Sequence, residues 1–566
     1  VKPKALILQL ILLALLLSPQ QVRAAGEDAV LRAMTDEIGR SMTDLHIDKH
    51  GPPYFISHTV IETDEASLVS TLGSPTTETK ARDRIAIPLV RVGSYELDNN
   101  YPLSSRHEYP YPVSLDDDYV SLRKWLWLDT DHAYKSAIRT FEWKKAYLNS
   151  NNIVDRLPDR THEEPVVSIG DTRRLAFDDA KWKSIVQELS AEFKNYPTLQ
   201  KSKVWLIARV VNRWYANSEG TRIRDSRTLF AVKFWALAQA DDGMQVDDVD
   251  IAASTEESKL PDREQLRQKA RALAQRVSML QRAPRAGDYC GPVLFEGQAA
   301  AEFFVQLMAP NFGFAEDYIG SEDWRNPLKS AIGRKVLSKE LTLIDDPQGK
   351  GGDGALLIGT YKHDDEGMPG EKLTLVSKGI LKDFCTSRLP TRQSQHSNGH
   401  SLGGHGVFSA LTLSTSKTST KEELMNQLSE LAKDAGLEYV LVISRMADSY
   451  ELAEYPSAYN RNERPYATPD YSNQPSAPTV AYKLDLKDGT RHLVRGLEFP
   501  SISLRAFRDI QAVGDDSATY TVEPDDCVLR DFTTPSYVVG ELELQPVKAE
   551  YSSIPILSGP MEKPAK

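Results

Sequence analysis

Gly291-Pro292-Val293-Leu294-Phe295-Glu296-Gly297-Gln298-Ala299-Ala300-Ala301-Glu302 is the stretch on which the fold turns. It opens with a short apolar run, the pattern of a buried strand, and continues from about Gly297 to Met308 as a helix. Upstream, Ala283-Pro284-Arg285-Ala286-Gly287 breaks the chain, which places a domain boundary there. From 335 onward the signal is mostly strand. Leu341-Thr342-Leu343-Ile344 and Leu356-Leu357-Ile358 flank a Gly-rich loop. Leu373 to Phe384 reads as a hairpin around Ser377-Lys378-Gly379, and Val480 to Leu497 as a second around Lys487-Asp488-Gly489. One helix interrupts them: Thr420-Lys421-Glu422-Glu423 is a capping box, Leu424, Leu428 and Leu431 its buried face, and Gly436 its stop. The strand Tyr439 to Ile443 follows.

The first half reads differently. Residues 25–110 show no regular pattern and end in Tyr-Pro-rich sequence, an extended connection because proline fixes φ and donates no hydrogen bond. A long helix is expected next, capped by Ser114, with Asp116, Asp117 and Asp118 near its positive end. Tyr119, Leu122, Leu126, Ala133, Ala137 and Phe141 form its stripe, and Trp125, Trp127 and Trp143 are expected to widen it. Residues 202–240 alternate like paired strands around Asn217-Ser218-Glu219-Gly220. A helix from about Asp262 to Leu280 buries Leu266, Ala270, Leu273, Val277 and Leu280. The fold class is α+β: a mixed N-terminal part with long helices, residues 25–285, and a C-terminal part dominated by antiparallel sheet, residues 286–566.

The chain has 566 residues and a net charge of −12, with 68 basic against 80 acidic side chains. No basic run offsets this, so nucleic acid is not an expected partner. Lys2 and Lys4 precede an apolar run, Ala5 to Leu17, and Val22-Arg23-Ala24 offers a cleavage point. That is the layout of a secretory signal peptide over residues 1–24, its apolar run too short to span a bilayer well; the alternative is an uncleaved N-terminal anchor. The expected location is outside the cytoplasm, periplasmic or extracellular, with no transmembrane span after signal removal. Three cysteines, Cys290, Cys385 and Cys527, make no disulfide framework; at most one bridge forms, and most are expected to be buried thiols. Residues 449–478, rich in Tyr and Pro, read as a long loop or equally as a disordered linker.

Four local patterns suggest chemistry. Gly399-His400-Ser401-Leu402-Gly403 matches a hydrolase nucleophile elbow, with Asp448 or Asp485 and His492 in the right chain order. The elbow needs a buried strand before it and a helix after it, and the flanking sequence supplies neither. His396, His400 and His405 are imidazoles of the kind that bind zinc, yet they lie in a Gly- and Ser-rich loop and read as polar loop. Gly349 to Gly354 matches a dinucleotide loop but lacks the following helix. Asp364-Asp365-Glu366-Gly367 puts three carboxylates in one turn; without EF-hand spacing it reads as a charged turn between strands.

Taken together, 291–302, Ile344-Asp345-Asp346-Pro347, Asp364 to Pro369, Leu381-Lys382-Asp383-Phe384, Ser397-Asn398-Gly399-His400 and Pro535 to Gly540 resemble the TldD/PmbA (TldD/TldE) family of metallopeptidases, also labelled modulators of DNA gyrase. Asn217 to Gly220 and Asp241 to Met244 fit the same pattern. The resemblance implies a zinc helix carrying His-Glu-x-x-x-His in the catalytic members, with a thiolate ligand near the C-terminus. On this chain those three positions fall on Glu296, Gly297 and Ala301, and Cys527 does not match the spacing of the thiolate. The resemblance therefore implies a zinc-free TldE/PmbA-type subunit with no catalytic or metal-binding residue of its own. Its implied partner is a TldD-like zinc-bearing subunit, and peptide the implied substrate. It identifies no substrate-binding residue. The alternatives are a self-sufficient metallopeptidase with atypical ligands such as Glu296, His363 or His400, and a non-enzymatic exported binding protein.

Overall fold

The computed structural model describes residues 28–47, 50–100, 111–154, 156–313, 326–350, 357–392, 394–447, 473–522 and 530–547. The proposed signal peptide, Tyr101 to Pro110, Asp448, Cys527 and most of the Tyr/Pro-rich and 349–354 loops lie outside them.

The N-terminal part contains structure where the sequence reads as irregular. Helix α1, Ala29–Asp44, begins at Asp28, whose carboxylate accepts from the Leu31 amide at 3.0 Å. Strands β1, Phe55–Thr71, and β2, Ser74–Arg91, form a long antiparallel hairpin. Its pattern is masked because core-facing positions alternate apolar and polar residues. Ile56, His58, Val60 and Glu62 share one face of β1 and all are buried. Glu62 is balanced by buried Arg84 of β2 at 2.5 Å and by Arg174 at 2.6 Å.

Helix α2, Tyr119–Ser150, starts at Asp118 rather than Ser114. Asp118 accepts from the Ser121 amide at 2.7 Å, whereas Ser114 is used in a turn of its own, accepting from the Asp116 amide at 3.3 Å. Leu122, Leu126, Ala133 and Ala137 are buried as expected. The tryptophans are not: Trp125, Trp127 and Trp143 are 43%, 45% and 51% exposed, because they fall off the helical stripe that meets the sheet.

Strands β3, Leu199–Asn217, and β4, Arg222–Gln239, complete the core of a seven-stranded sheet, with β5, Gln245–Ser254, and residues 167–169 bonded to β4. Two pairs of helices cover one face of this sheet in tandem. Helices α1 and α2 pack near Ile56, Val60, Trp214 and Ala216. Helices α3, Asp179–Ala191, and α4, Arg263–Arg282, pack near Leu68, Val204, Leu206 and Ala208. Asp262 and Gln265 cap α4 reciprocally.

The C-terminal part is two sheets around one helix. Strand β6, Tyr289–Phe295, leads into α5, Gln298–Leu307. One sheet has six strands and includes β7, Leu341–Asp345, β8, Leu373–Ser377, and β9, Ala410–Thr415. The other has seven and includes β6, β10, Tyr439–Met446, β11, Pro478–Asp485, and β12, Arg491–Val494. The last two strands divide between them, β13, Arg530–Thr534, in the first and β14, Tyr537–Pro546, in the second. Most pairings are antiparallel; β6–β10 and β9–β13 are parallel. Phe303 of α5 stacks on Phe295 of β6 with centroids 4.1 Å apart, while Phe304 meets Phe532 of β13 at 5.1 Å. Helix α6, Lys421–Asp434, capped by Thr420 and Glu423, covers the outer face of the seven-stranded sheet through Leu424 and Leu428.

Two local expectations change. Leu357 and Ile358 form no strand; the Ile358 amide donates to Asp531 Oδ2 at 2.6 Å instead. Cys290 is exposed, and of the described cysteines only Cys385 is a buried thiol. The stretch at 283–287 is pinned by backbone, with Ala286 donating to the Arg495 carbonyl at 2.9 Å.

The packing predicts a large contrast between two aromatic truncations. Phe303→Ala removes a fully buried ring and is expected to cost about 3–5 kcal/mol in chemical denaturation. Trp127→Ala, 45% exposed on α2, is expected to stay within about 0.5 kcal/mol. His58 predicts a pH effect. Its Nε2 donates to Thr130 Oγ1 at 2.8 Å, because that hydroxyl spends its own proton on the Leu126 carbonyl. Burial pushes the imidazole down to about 4, against the opposing charge of Glu37. The folded state therefore holds His58 neutral where the unfolded chain, with a pKa of about 6.5, takes up a proton. Stability is lost as pH falls from about 6.5 to about 4, by on the order of 3 kcal/mol from this group. Urea unfolding at about pH 7 and about pH 4 should show a smaller acid loss in His58→Gln than in the native chain.

Candidate functional site

The acidic turn and the glycine loop singled out in the sequence fold against one another. Asp364 accepts from the amides of Glu366, Met368 and Ser401, at 3.0, 2.9 and 2.9 Å. Burial nonetheless raises its carboxyl to about 7, and the charge of Glu366 adds to the rise. Asp365 receives the Gly403 amide at 3.1 Å. Glu366 takes Arg160 at 3.0 Å and the Arg388 amide at 2.8 Å. These carboxylates knit the C-terminal part to the N-terminal sheet. Arg388 forks onto Glu219 at 2.5 and 2.7 Å, and Tyr95 donates to the same carboxylate at 2.7 Å. Arg213 of β3 binds Asp225 and donates to the carbonyls of His363 and Asp364. Each carboxylate of the turn is engaged, so the turn is an interface clamp, not an open acid–base pair.

Deeper in the same loop sits a cluster of a different kind. Asp345, the last residue of β7, Cys385, just past the β8 hairpin, and His400 are all 0% exposed. Their donor atoms lie within 4.8 Å of one another. Asp345 Oδ1 accepts from the Ala410 amide at 2.7 Å and from Ser409 Oγ at 3.0 Å, and Oδ2 accepts from the Ser409 amide at 2.8 Å. Cys385 Sγ is 3.8 Å from Asp345 Oδ2, and His400 Nε2 is 3.1 Å from it. His400 Nδ1 is 2.9 Å from the Asn398 carbonyl. The backbone that presents His400 requires glycine beside it. Gly399 has φ of 72°, and a Cβ there would come within 1.9 Å of the Pro369 carbonyl oxygen. Burial raises the Cys385 thiol well above its ordinary value, with the charges of Asp345 and Asp383 adding to the effect. A protonated thiol shut away from solvent is no nucleophile. The residue types instead fit a metal: imidazole, thiolate and carboxylate are the ligands zinc takes.

The other sequence candidates do not converge. Ser401 lies on a two-residue strand paired to His405–Gly406, not on a strand-to-helix elbow. Asp485 and His492 sit in the β11–β12 hairpin of the other sheet, with His492 Nε2 2.9 Å from Thr490 Oγ1. His396, 75% exposed, faces Glu163 at 3.3 Å. His363 is buried, with its carbonyl bound to Arg213. Glu296 forks with Arg491 at 2.8 and 3.3 Å, Gly297 precedes α5 with φ of 61°, and Ala301 is wholly buried in the apolar core. Sequence reasoning missed Asp345 and Cys385 as partners of His400. They lie 55 and 15 positions away, so no motif spacing joins them; the one local signal is a carboxylate ending the apolar strand Leu341–Ile344.

Residues 287–449 match the family model described as the PmbA/TldA metallopeptidase C-terminal domain. Metalloprotease MJ0996 of Methanocaldococcus jannaschii is 40% identical over 60 residues, 11% of this chain. The metalloprotease TldD homolog of Buchnera aphidicola is 44% identical over 61 residues, also 11%. In each case the match spans only 12% of the relative's length. The fold is shared much more widely. TldE of Thermococcus kodakarensis superposes with a TM-score of 0.56 at 14% identity, covering 90% of this chain and 99% of that one. A Thermotoga maritima protein named for a suggested role as a modulator of a DNA gyrase superposes with a TM-score of 0.57 at 14% identity, covering 87% and 96%. Residues 287–449 are thus similar in sequence to the C-terminal domain of the PmbA/TldA metallopeptidases, and nearly the whole described chain shares its fold with TldE.

Proposed function

We propose that this chain is a TldE/PmbA-type subunit without catalytic zinc, exported to the periplasm or the cell exterior, that works with a TldD-like zinc-bearing partner on peptides. The observation that carries the proposal is the state of α5. In the family pattern this helix bears the two imidazoles and the general base of a zinc peptidase. Here Glu296 is spent on Arg491, Gly297 has no side chain, and Ala301 packs among Phe303, Phe304 and the two sheets. Ala301 is wholly buried, so the position faces no solvent.

The cluster of Asp345, Cys385 and His400 does not supply a substitute active centre. All three side chains are sealed from solvent, so a substrate carbonyl cannot reach them. On this reading the chain shapes and closes the partner's site while the partner performs the hydrolysis.

Reconstitution tests this. The chain alone is expected to hydrolyse no peptide, and a recombinant partner carrying His-Glu-x-x-x-His is expected to gain at least about tenfold in peptidase rate when the two are mixed. Chelator-sensitive hydrolysis by the isolated chain would overturn the proposal.

A further inference from the structure

We propose that Asp345, Cys385 and His400 form a structural site for one divalent transition-metal ion of the zinc class. The argument starts from one atom. The Asn398 carbonyl can only accept a hydrogen bond, so His400 Nδ1, 2.9 Å away, carries the ring proton. In a neutral imidazole that leaves Nε2 with a lone pair. Nε2 is fully buried, makes no hydrogen bond, and points at Asp345 Oδ2 across 3.1 Å. Two electron-rich atoms held this close repel unless a positive charge lies between or beside them. The third group at that point is the Cys385 sulfur, 3.8 Å from the same oxygen.

A divalent cation answers each of these demands. Nitrogen, sulfur and oxygen donors suit zinc; the Nε2–Oδ2 and Sγ–Oδ2 separations of 3.1 and 3.8 Å fall on either side of the about 3.3–3.6 Å between donors of a tetrahedral shell, of which the three side chains fill three positions. Binding converts the thiol to thiolate, and its proton leaves to solvent. The carboxylate, the thiolate, a neutral imidazole and the dication then sum to zero, which is what a dry site requires. The outer shell is already in place. Asp345 is held by Ser409 and Ala410, and His400 by Asn398, whose own side chain joins the Thr386 amide and the Phe384 carbonyl at 2.8 and 2.7 Å. The ion would pin the end of β7, the segment after the β8 hairpin and the glycine loop together. It departs from the sequence expectation of a metal-free chain, and it is independent of the missing catalytic zinc at α5.

The rival arrangement is a proton in place of the metal, an imidazolium–carboxylate pair beside a neutral thiol. The two are separated by elemental analysis of the full chain purified without a chelating tag, and by adding Co(II) to the metal-stripped protein. About one zinc per chain, with a thiolate-to-cobalt charge-transfer band on Co(II) addition, is expected. Cys385→Ser should lose the band and bind the metal at least about tenfold more weakly. Absence of both zinc and the band, or a Cys385→Ser variant with unchanged metal content and an unchanged band, overturns the site. Should that variant fail to fold, X-ray absorption of the native chain decides. Sulfur plus imidazole in the first shell supports the site, and a shell of oxygen alone overturns it. Partner-dependent peptidase activity of the same native preparation reports separately on the proposed function, which can fail or stand without this site.

Discussion

The contact of Phe303 with Phe295 is the pivot of the C-terminal half. It presses α5 against the strand that precedes it, and Phe304 carries the same helix across to the opposite sheet. A helix clamped between two sheets must be apolar all round, and α5 is: Ala299 to Val305 are all buried, with Glu302 as the lone charge among them. That placement sets the helix against β10 of one sheet and β13 of the other, the strand that runs parallel to β9.

The N-terminal part meets this core through buried charge as well as through apolar packing, where Val480 joins the cluster of α3 and α4. Arg213, Arg160 and Arg388 cross to Asp364, Glu366 and Glu219, several of them almost fully buried. Buried pairs of this type add little net stability, because desolvation offsets their attraction, but they penalise any misalignment severely. The clamp therefore sets register between the two halves more than it holds them together. The same glycine loop takes part in the clamp at Ser401 and in the buried cluster at His400, one residue apart.

Much of this architecture is legible in the sequence, and the failures have physical causes. Helices α4, α5 and α6 and both hairpins are announced by capping residues, apolar periodicity and turn glycines. The β1–β2 hairpin is not, because His58, Glu62 and Arg84 occupy core-facing positions and erase the alternation that marks a strand. The exposed tryptophans of α2 mislead in the opposite direction, since large apolar side chains off the stripe look like core. At the candidate site, His400 stands out locally, whereas Asp345 and Cys385 become its neighbours only through tertiary folding. The absence of the zinc ligands at α5 is readable from residue identity alone; the sealing of that helix is not.

The outer half of β2 has a consequence for how the molecule behaves in company. Residues 74–83 pair with β1 on one side, and the short strand Tyr111–Pro112 reaches only Ile85 and Ala86 on the other. Among the described residues this leaves a run of open backbone donors and acceptors at the rim of a large sheet, the sort of template on which foreign strands grow into fibrils. The rim is written Ser-Pro-Thr-Thr-Glu-Thr-Lys-Ala-Arg-Asp. Proline withholds a donor, and the alternating charges would have to shed water to accept a new neighbour. The exposed margin of the sheet thus carries its own guard against self-association.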